Sequence, residues 1–150
     1  KESCMRFLGN IEARTDAKGR VFLPASFRKV LQAEGEETLV LRKEVHQDCL
    51  VLYPLSSWNH RIDKLLQKVN EFDRDSQMVF RQFVAAATDL TLDGNGRFLI
   101  PKDYLKMAGI DQTVRFLGVN DTIEIWAAEK AEKPFLDDEE FSAKLQAMMG

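Results

Sequence analysis

Hydrophobic and polar positions alternate over two pairs of short segments, and a polar turn separates the members of each pair. The predicted strands are Ile11–Thr15 and Arg20–Leu23 in the first pair, and Asp89–Leu92 and Arg97–Ile100 in the second. Each turn contains an Asp that can cap it and a Gly, Gly19 or Gly96, that can adopt a positive φ. Each pair therefore predicts a β-hairpin.

A proline follows each of these pairs and predicts a short helix, because Pro is tolerated at the first helical position. Apolar residues then recur with the spacing of one helical face. They are Phe27, Val30 and Leu31 in the first copy, and Tyr104, Met107 and Ala108 in the second. Gly109 is a predicted helix stop. A further hairpin follows each helix, formed by Thr38–Arg42 with Leu50–Tyr53 and by Thr113–Leu117 with Thr122–Trp126.

Three further helices are predicted between and after the copies. Trp58, Ile62 and Leu65 have helical spacing, with Ser56 or Ser57 as N-cap. Asp75 is predicted to cap the next helix, and Asp137, with Glu140 as capping-box partner, the last one. The last helix carries Phe141, Leu145 and Met148 on one face, which we expect to form core or subunit contacts.

The strongest internal signal is a repeat of nine residues. Asp16–Pro24 aligns with Asp93–Pro101 at an offset of 77, and Asp, Gly, Arg and Pro coincide. Such a duplication predicts two half-domains, each burying a face of the other. We expect a first half-repeat over residues 5–55, connecting helices over 56–87, a second half-repeat over 88–128 and a C-terminal helix over 129–150.

Composition indicates one ordinary globular domain. The chain has 150 residues, 45% apolar and 30% charged, with a net charge of −3. Apolar runs fall far short of the roughly 20 residues of a membrane-spanning helix, and we find no secretory signal. Cys4 and Cys49 lack partners at metal-binding spacing, which fits a reducing cytoplasm without zinc or disulfides. Lys1–Cys4 precede Met5, which resembles a start residue, and we expect the fold to begin after them.

Charge is distributed unevenly along the chain. Residues 6–29 carry six positive and two negative side chains, whereas residues 129–150 carry three positive and six negative ones. A basic front and an acidic tail fit an anionic partner at one end, but charge alone favours a solvated surface pattern. The sequence has no nucleophile elbow, phosphate-binding loop or zinc-protease motif. It therefore predicts no enzyme, no cofactor, no metal and no small-molecule substrate.

The repeated Asp-x-x-x-Arg turn is the one candidate for chemistry, and two interpretations are open. In the first, the Asp–Arg pair and an Asp cap simply hold the turn together. In the second, the turn presents a guanidinium that can bind phosphate oxygens or the guanine edge, and a two-stranded ribbon fits the major groove. Lys18 would add a charge for phosphate, and Asn95 a hydrogen-bonding group.

These residues resemble the MraZ family. The resemblance rests on the two Asp-x-x-x-Arg copies, each followed by an apolar triplet and Pro, together with Phe7–Gly9, Leu52–Leu55 and Glu124–Trp126. It implies a β-rich α+β fold of the AbrB/MazE kind, a double-split barrel formed as an intrachain pseudo-dimer of swapped β-hairpin halves with flanking helices. It also implies a bacterial DNA-binding transcriptional regulator of the division and cell-wall gene cluster, cytoplasmic and nucleoid-associated. Such proteins bind repeated promoter boxes on double-stranded DNA and assemble into rings.

The family's DNA-facing motif is carried over to this chain residue by residue. Arg20 and Arg97 become expected DNA contacts, with Lys18 and Asn95 as neighbours and Arg14 as a further candidate from charge and position. Asp16, Asp93, Gly19 and Gly96 are expected to orient the turns. The alternative is a protein-interaction or antitoxin-like module that uses the same fold without DNA and binds through its acidic C-terminal helix.

Overall fold

The computed structural model describes residues 5–150, so predictions that involve Cys4 lie outside the described residues. Strands and helices alternate through this range in a pattern that the chain repeats. In order, they are β1 (Asn10–Arg14), β2 (Arg20–Phe22), α1 (Ala25–Ala33), β3 (Thr38–Lys43), β4 (Leu50–Pro54), α2 (Leu55–Leu66), α3 (Arg74–Ala85), β5 (Thr88–Thr91), β6 (Arg97–Leu99), α4 (Lys102–Met107), β7 (Thr113–Val119), β8 (Thr122–Ala127), α5 (Ala128–Ala131) and α6 (Asp138–Met149).

The strands are arranged with a pseudo-twofold symmetry. One sheet has the order β1-β7-β8-β4-β3-β5, and exchanging the two halves of the chain reproduces this order in reverse. The first strand of each half pairs with the other half, β1 with β7 and β5 with β3, and β2 pairs with β6 in a second, two-stranded sheet. The predicted pseudo-dimer of swapped halves in a double-split barrel is confirmed. The division into four segments stays a prediction.

The two predicted hairpins around the Gly19 and Gly96 turns are wrong in their pairing. β1 and β2 both exist, but the ladder of β2 runs to β6 of the other half, and Val21 lies opposite Phe98 in the core. Alternation indicates which side chains of a strand are buried, but it does not identify the partner strand. The later hairpins, β3 with β4 and β7 with β8, form as predicted.

Helices α1 and α4 confirm most of the predicted repeat. Their prolines, Pro24 and Pro101, are N-caps with extended ψ of 141° and 148°, one residue before the predicted helical position. Gly109 adopts φ 64° just after α4, and the N–H group of Ile110 donates to the Leu105 carbonyl at 2.9 Å, which closes the helix as predicted. Met107 is exposed, contrary to the predicted face, whereas Tyr104 and Ala108 of the same face are buried.

The caps of the connecting helices lie two or three residues before the predicted ones. Pro54 precedes α2, so Ser56 and Ser57 lie inside its first turn and neither is the N-cap. Asp73 rather than Asp75 caps α3, since its carboxylate accepts two backbone N–H groups of the first turn. Both aspartates could serve from their positions in the sequence, and the structure uses the first one.

An aromatic stack holds the connecting helices against the sheet. The Trp58 ring of α2 stacks on the Phe83 ring of α3 with centroids 5.4 Å apart and contacts Tyr53 of β4 edge-on at 5.2 Å. The guanidinium of Arg42 lies 4.3 Å from the Phe83 centroid, and its Nε donates to the Phe83 carbonyl at 2.9 Å. These contacts fix both helices to β3 and β4.

Helix α6 begins as predicted but does not join the core. Asp137 is its N-cap and accepts the Glu140 backbone N–H at 2.8 Å. Phe141, Leu145 and Met148 are all exposed, so they form no core contact within this chain. A subunit contact through this face stays a prediction.

Candidate nucleic-acid interface

The first Asp-x-x-x-Arg turn is closed by one carboxylate. Oδ1 of Asp16 accepts the backbone N–H groups of Lys18 and Arg20, each at 2.9 Å, and Oδ2 accepts Nε of Arg20 at 2.7 Å. The backbone of Asp16 adds two more bonds, to the Arg20 carbonyl and from the Gly19 N–H. A single side chain thus fixes both the turn and the arginine stem.

The second turn repeats this arrangement. Oδ1 of Asp93 accepts the N–H groups of Asn95 and Arg97, each at 2.9 Å, and Oδ2 accepts Nε of Arg97 at 3.0 Å. The same five hydrogen bonds therefore occur in both copies of the repeat. That Asp16 and Asp93 orient the turns for binding stays a prediction.

These hydrogen bonds lower the pKa of both aspartates, which are ionised at neutral pH. The backbone N–H of Arg20, with the Arg20 side chain and the Lys18 N–H, lowers the pKa of Asp16 to about 2. The backbone N–H of Arg97 likewise lowers the pKa of Asp93 below its ordinary value. The charged carboxylate and its arginine stay paired across the physiological range.

Pairing with aspartate leaves most of each guanidinium available. Only Nε is bonded in Arg20 and Arg97, and within residues 5–150 neither pair of Nη atoms has a hydrogen-bond partner. The side chains are 40% and 28% exposed, respectively. Each arginine is thus held to its aspartate through Nε, which we call the anchored stem, and its two Nη groups form a free fork of hydrogen-bond donors. Such a fork can bind the oxygens of a phosphate or the edge of a guanine. The ion-pair interpretation and the binding interpretation are therefore compatible.

The β2–β6 ribbon places the two arginines on one face. Arg20 lies opposite Leu99 and Phe22 opposite Arg97, and all four side chains share the side of the sheet that faces away from the core. Diagonal neighbours in such a pair lie about 8 Å apart. The two forks therefore belong to one surface, which we call the ribbon face: Arg20, Phe22, Arg97 and Leu99.

The two turn glycines join the halves. Gly19 and Gly96 have φ of 91° and 82°, a region that L-residues rarely adopt. The Gly19 carbonyl accepts the Ile100 N–H at 2.9 Å, and the Gly96 carbonyl accepts the Leu23 N–H at 3.0 Å. Each turn is thus hydrogen-bonded to the end of the opposite strand, which fixes the position of both turns relative to the ribbon.

The remaining predicted residues lie around these turns. Lys18 and Asn95 are exposed at the tips of the first and second turn. Arg14 ends β1 and is also exposed, and its Nη2 donates to Oε1 of Gln112 at 3.2 Å. DNA contact by any of these side chains stays a prediction.

Sequence reasoning missed three residues of this surface. Arg28 of α1 reaches across to the second turn, where its Nη1 donates to the Asn95 carbonyl at 3.4 Å. A difference between the two copies of the repeat could have indicated Arg28, because the equivalent position in the second half is the apolar Leu105. Phe22 and Leu99 were assigned to apolar triplets, although strand alternation buries the first and third residues of each triplet and leaves the middle one, Phe22 or Leu99, facing away from the core.

Other kinds of site receive little support from the described residues. Within residues 5–150, no group of three or more His, Cys, Asp or Glu side chains could hold a metal ion. Burial raises the pKa of Cys49 to about 12, so its thiol is a poor nucleophile. The helices of this range are too short or too polar to cross a membrane.

Comparison with known proteins finds one family model and several named relatives that match the chain. A family model described as "MraZ protein, putative antitoxin-like" matches residues 6–82 and again 83–150, in keeping with the two structural halves. The chain is 60% identical over 146 residues to a protein of Phocaeicola vulgatus named Transcriptional regulator MraZ, covering 97% of this chain and 95% of the relative. Proteins of the same name in Bacteroides fragilis (54% over 145 residues, 97% and 92% covered) and Christiangramia forsetii (32% over 147 residues, 97% and 94% covered) are also similar. On both the family match and the extent of these identities, the chain belongs to the MraZ family.

Proposed function

We propose that the protein is a transcriptional regulator that binds double-stranded promoter DNA through the Arg20 and Arg97 turns. The observation that carries the proposal is the pair of unbonded guanidinium forks on one ribbon face, each with its stem anchored to an aspartate. A two-stranded ribbon fits the major groove, where such a fork can bind guanine O6 and N7 or the flanking phosphates. The names of the relatives support the regulatory role.

The finer parts of the proposal come from the resemblance to the family. The DNA target is a set of repeated promoter boxes upstream of a bacterial division and cell-wall gene cluster, and the protein acts in the cytoplasm at the nucleoid. It assembles into a ring of identical subunits, which presents several ribbon faces to successive boxes and raises the overall affinity through effective concentration. Lys18, Asn95 and Arg14 lie beside the forks and add contacts to phosphate or base edges.

The proposal is tested by DNA binding at two or more salt concentrations. The probe is a fluorescent duplex of the region upstream of the gene itself, and binding is followed by anisotropy. Each phosphate contact contributes about 0.9 to the slope of log K against log salt. We expect Arg20→Ala and Arg97→Ala each to weaken binding by about 10-fold or more, from the ~1–3 kcal/mol of a bidentate contact, and the double variant to abolish it.

A matched control distinguishes the loss of a specific arginine contact from the loss of one positive charge elsewhere on the protein. Arg81 is an exposed arginine of α3, outside the two turns, so Arg81→Ala removes the same charge elsewhere. It should retain the affinity and the salt slope of the native protein. Promoter binding that survives in the double variant, with the fold intact by circular dichroism, would show that the site is assigned wrongly.

The alternative function, a protein-interaction module, has one observation in its favour. Helix α6 begins with a run of acidic residues and has no buried residue, so its apolar side chains are available to a partner. Deleting residues 137–150 would abolish complex formation in that case. Under the DNA-binding proposal, the deletion leaves the contact of a single ribbon face with DNA unchanged.

A further inference from the structure

The ribbon face exposes two large apolar side chains that the core does not need. Phe22 is 54% and Leu99 is 50% exposed, whereas their strand neighbours Val21 and Phe98 are 1% and 3% exposed on the opposite side. Strand alternation forces residues 22 and 99 outward whatever their chemistry. Both side chains are therefore available to the apolar groups of a partner.

Each apolar side chain lies directly beside an arginine fork. The register places Phe22 opposite Arg97 and Leu99 opposite Arg20, and side chains opposite each other across a sheet lie about 5 Å apart at Cβ. The Arg97 guanidinium is 5.8 Å from the centroid of the Phe22 ring. A ligand held by either fork is therefore within reach of an apolar side chain as well.

We propose that Phe22 and Leu99 contact the 5-methyl groups of thymines, so that the DNA sequence preferred by the ribbon includes thymine next to each base or phosphate that an arginine binds. This inference rests on the proposed function and adds a source of sequence specificity to it. Among base edges in the major groove, only thymine presents an apolar group. Phosphates present none, so the two apolar side chains serve base recognition and not charge neutralisation.

The small size of the apolar area favours DNA over a protein partner. Protein-binding patches on soluble proteins usually extend over several hundred Å². Here two apolar side chains alternate with two guanidinium groups, each directly opposite one of them across the ribbon, and each guanidinium would need an acidic partner in a protein interface. The same alternation matches the major groove, where hydrogen-bonding atoms and methyl groups are neighbours.

The experiment removes only the methyl groups. A random duplex library is selected on the intact protein, and each thymine of the selected sequence is replaced in turn by deoxyuridine. Replacement of the contacted thymines should weaken binding about fourfold per methyl, as expected for burial of one carbon. Phe22→Ala should abolish this sensitivity at one thymine, and Leu99→Ala at another. Met78→Ala, which removes an exposed apolar side chain of α3, should retain both sensitivities.

The possible outcomes distinguish this inference from the proposed function. If selected DNA binds equally well with thymine and deoxyuridine at every position, the inference is overturned while DNA binding stands. The inference is also overturned if the alanine variants remain sensitive to the loss of the methyl groups. It is overturned as well if light scattering shows that Phe22→Ala changes the number of subunits in the assembly. If the library yields no preferred sequence, the proposed function fails, and the inference fails with it.

Discussion

Alanine at the two turn glycines should destabilise the protein unequally, although both positions are equivalent in the repeat. Gly19 and Gly96 have φ of 91° and 82°. A Cβ on Gly19 would lie 2.7 Å from the Ile100 carbonyl oxygen, which is backbone. A Cβ on Gly96 would overlap the guanidinium of Arg28, which is the end of a flexible side chain. The first clash requires a backbone shift, whereas the second is relieved by rotation of one side chain.

The magnitudes follow from these neighbours. An L-residue in the left-handed region costs about 1–2 kcal/mol, and this applies to both variants. In Gly19→Ala, the shift also stretches the hydrogen bond from Ile100 N–H to the Gly19 carbonyl, now 2.9 Å, and losing it costs about 1 kcal/mol more. We expect Gly19→Ala to lower the free energy of unfolding by about 2–3 kcal/mol and Gly96→Ala by about 1–2 kcal/mol. At about 2–4 °C per kcal/mol, the Tm of Gly19→Ala should be several degrees lower than that of Gly96→Ala.

Urea unfolding followed by tryptophan fluorescence measures these differences. Gly35→Ala is the calibration, because Gly35 also has a positive φ, 65°, with nothing within 4 Å of its Cβ position, so it reports backbone strain alone. Arg28→Ala combined with Gly96→Ala removes the clash and should leave only that strain. If Gly96→Ala proves as destabilising as Gly19→Ala, the explanation by backbone contact is refuted.

Two further predictions concern titratable groups. Because the folded pKa of Asp16 is about 2 and that of Asp93 is also lowered, their stabilising effect is present above an unfolded pKa near 4 and is lost as the pH falls from about 4 toward 2. Urea unfolding at pH 5 and pH 2.5 should show a smaller drop for the Asp16→Asn/Asp93→Asn variant than for the native protein, and equal drops would contradict this. With Cys4 replaced by Ser, Cys49 should react with Ellman's reagent at pH 8 only after unfolding, because its buried thiol has a pKa of about 12; rapid labelling of the folded protein would show that the thiol is accessible.

The repeat predicted the turns well because their geometry depends on neighbouring residues. Asp16 and Gly19, and their equivalents 77 positions later, determine hydrogen bonds within a span of five residues, and the structure shows the same bonds in both copies. The pairing of β2 was predicted wrongly because it depends on a strand far along the chain. The resemblance to a family with swapped halves, and not the alternation of side chains, indicated the correct topology.

Helix ends were predicted less accurately than helix positions. Asp73 and Asp75 both favour an N-cap, and the choice between them depends on where the chain enters the helix after the preceding turn. Met107 has the spacing of an apolar helical face, but of this face the structure buries only Tyr104 and Ala108. The exposure of Phe141 and Leu145 likewise depends on a packing partner, which the periodicity of α6 does not specify.

The second turn has Asn95 where the first has Lys18, so the repeat itself gives the second turn one cation fewer. The structure supplies a compensating cation from the other half, since Arg28 lies against the Asn95 carbonyl. Each turn therefore has two cations, Lys18 with Arg20 and Arg28 with Arg97, although the repeat itself is asymmetric. The swapped fold makes this possible, because it brings α1 of the first half beneath the turn of the second. This arrangement depends on Gly96, because any side chain at that position would displace Arg28.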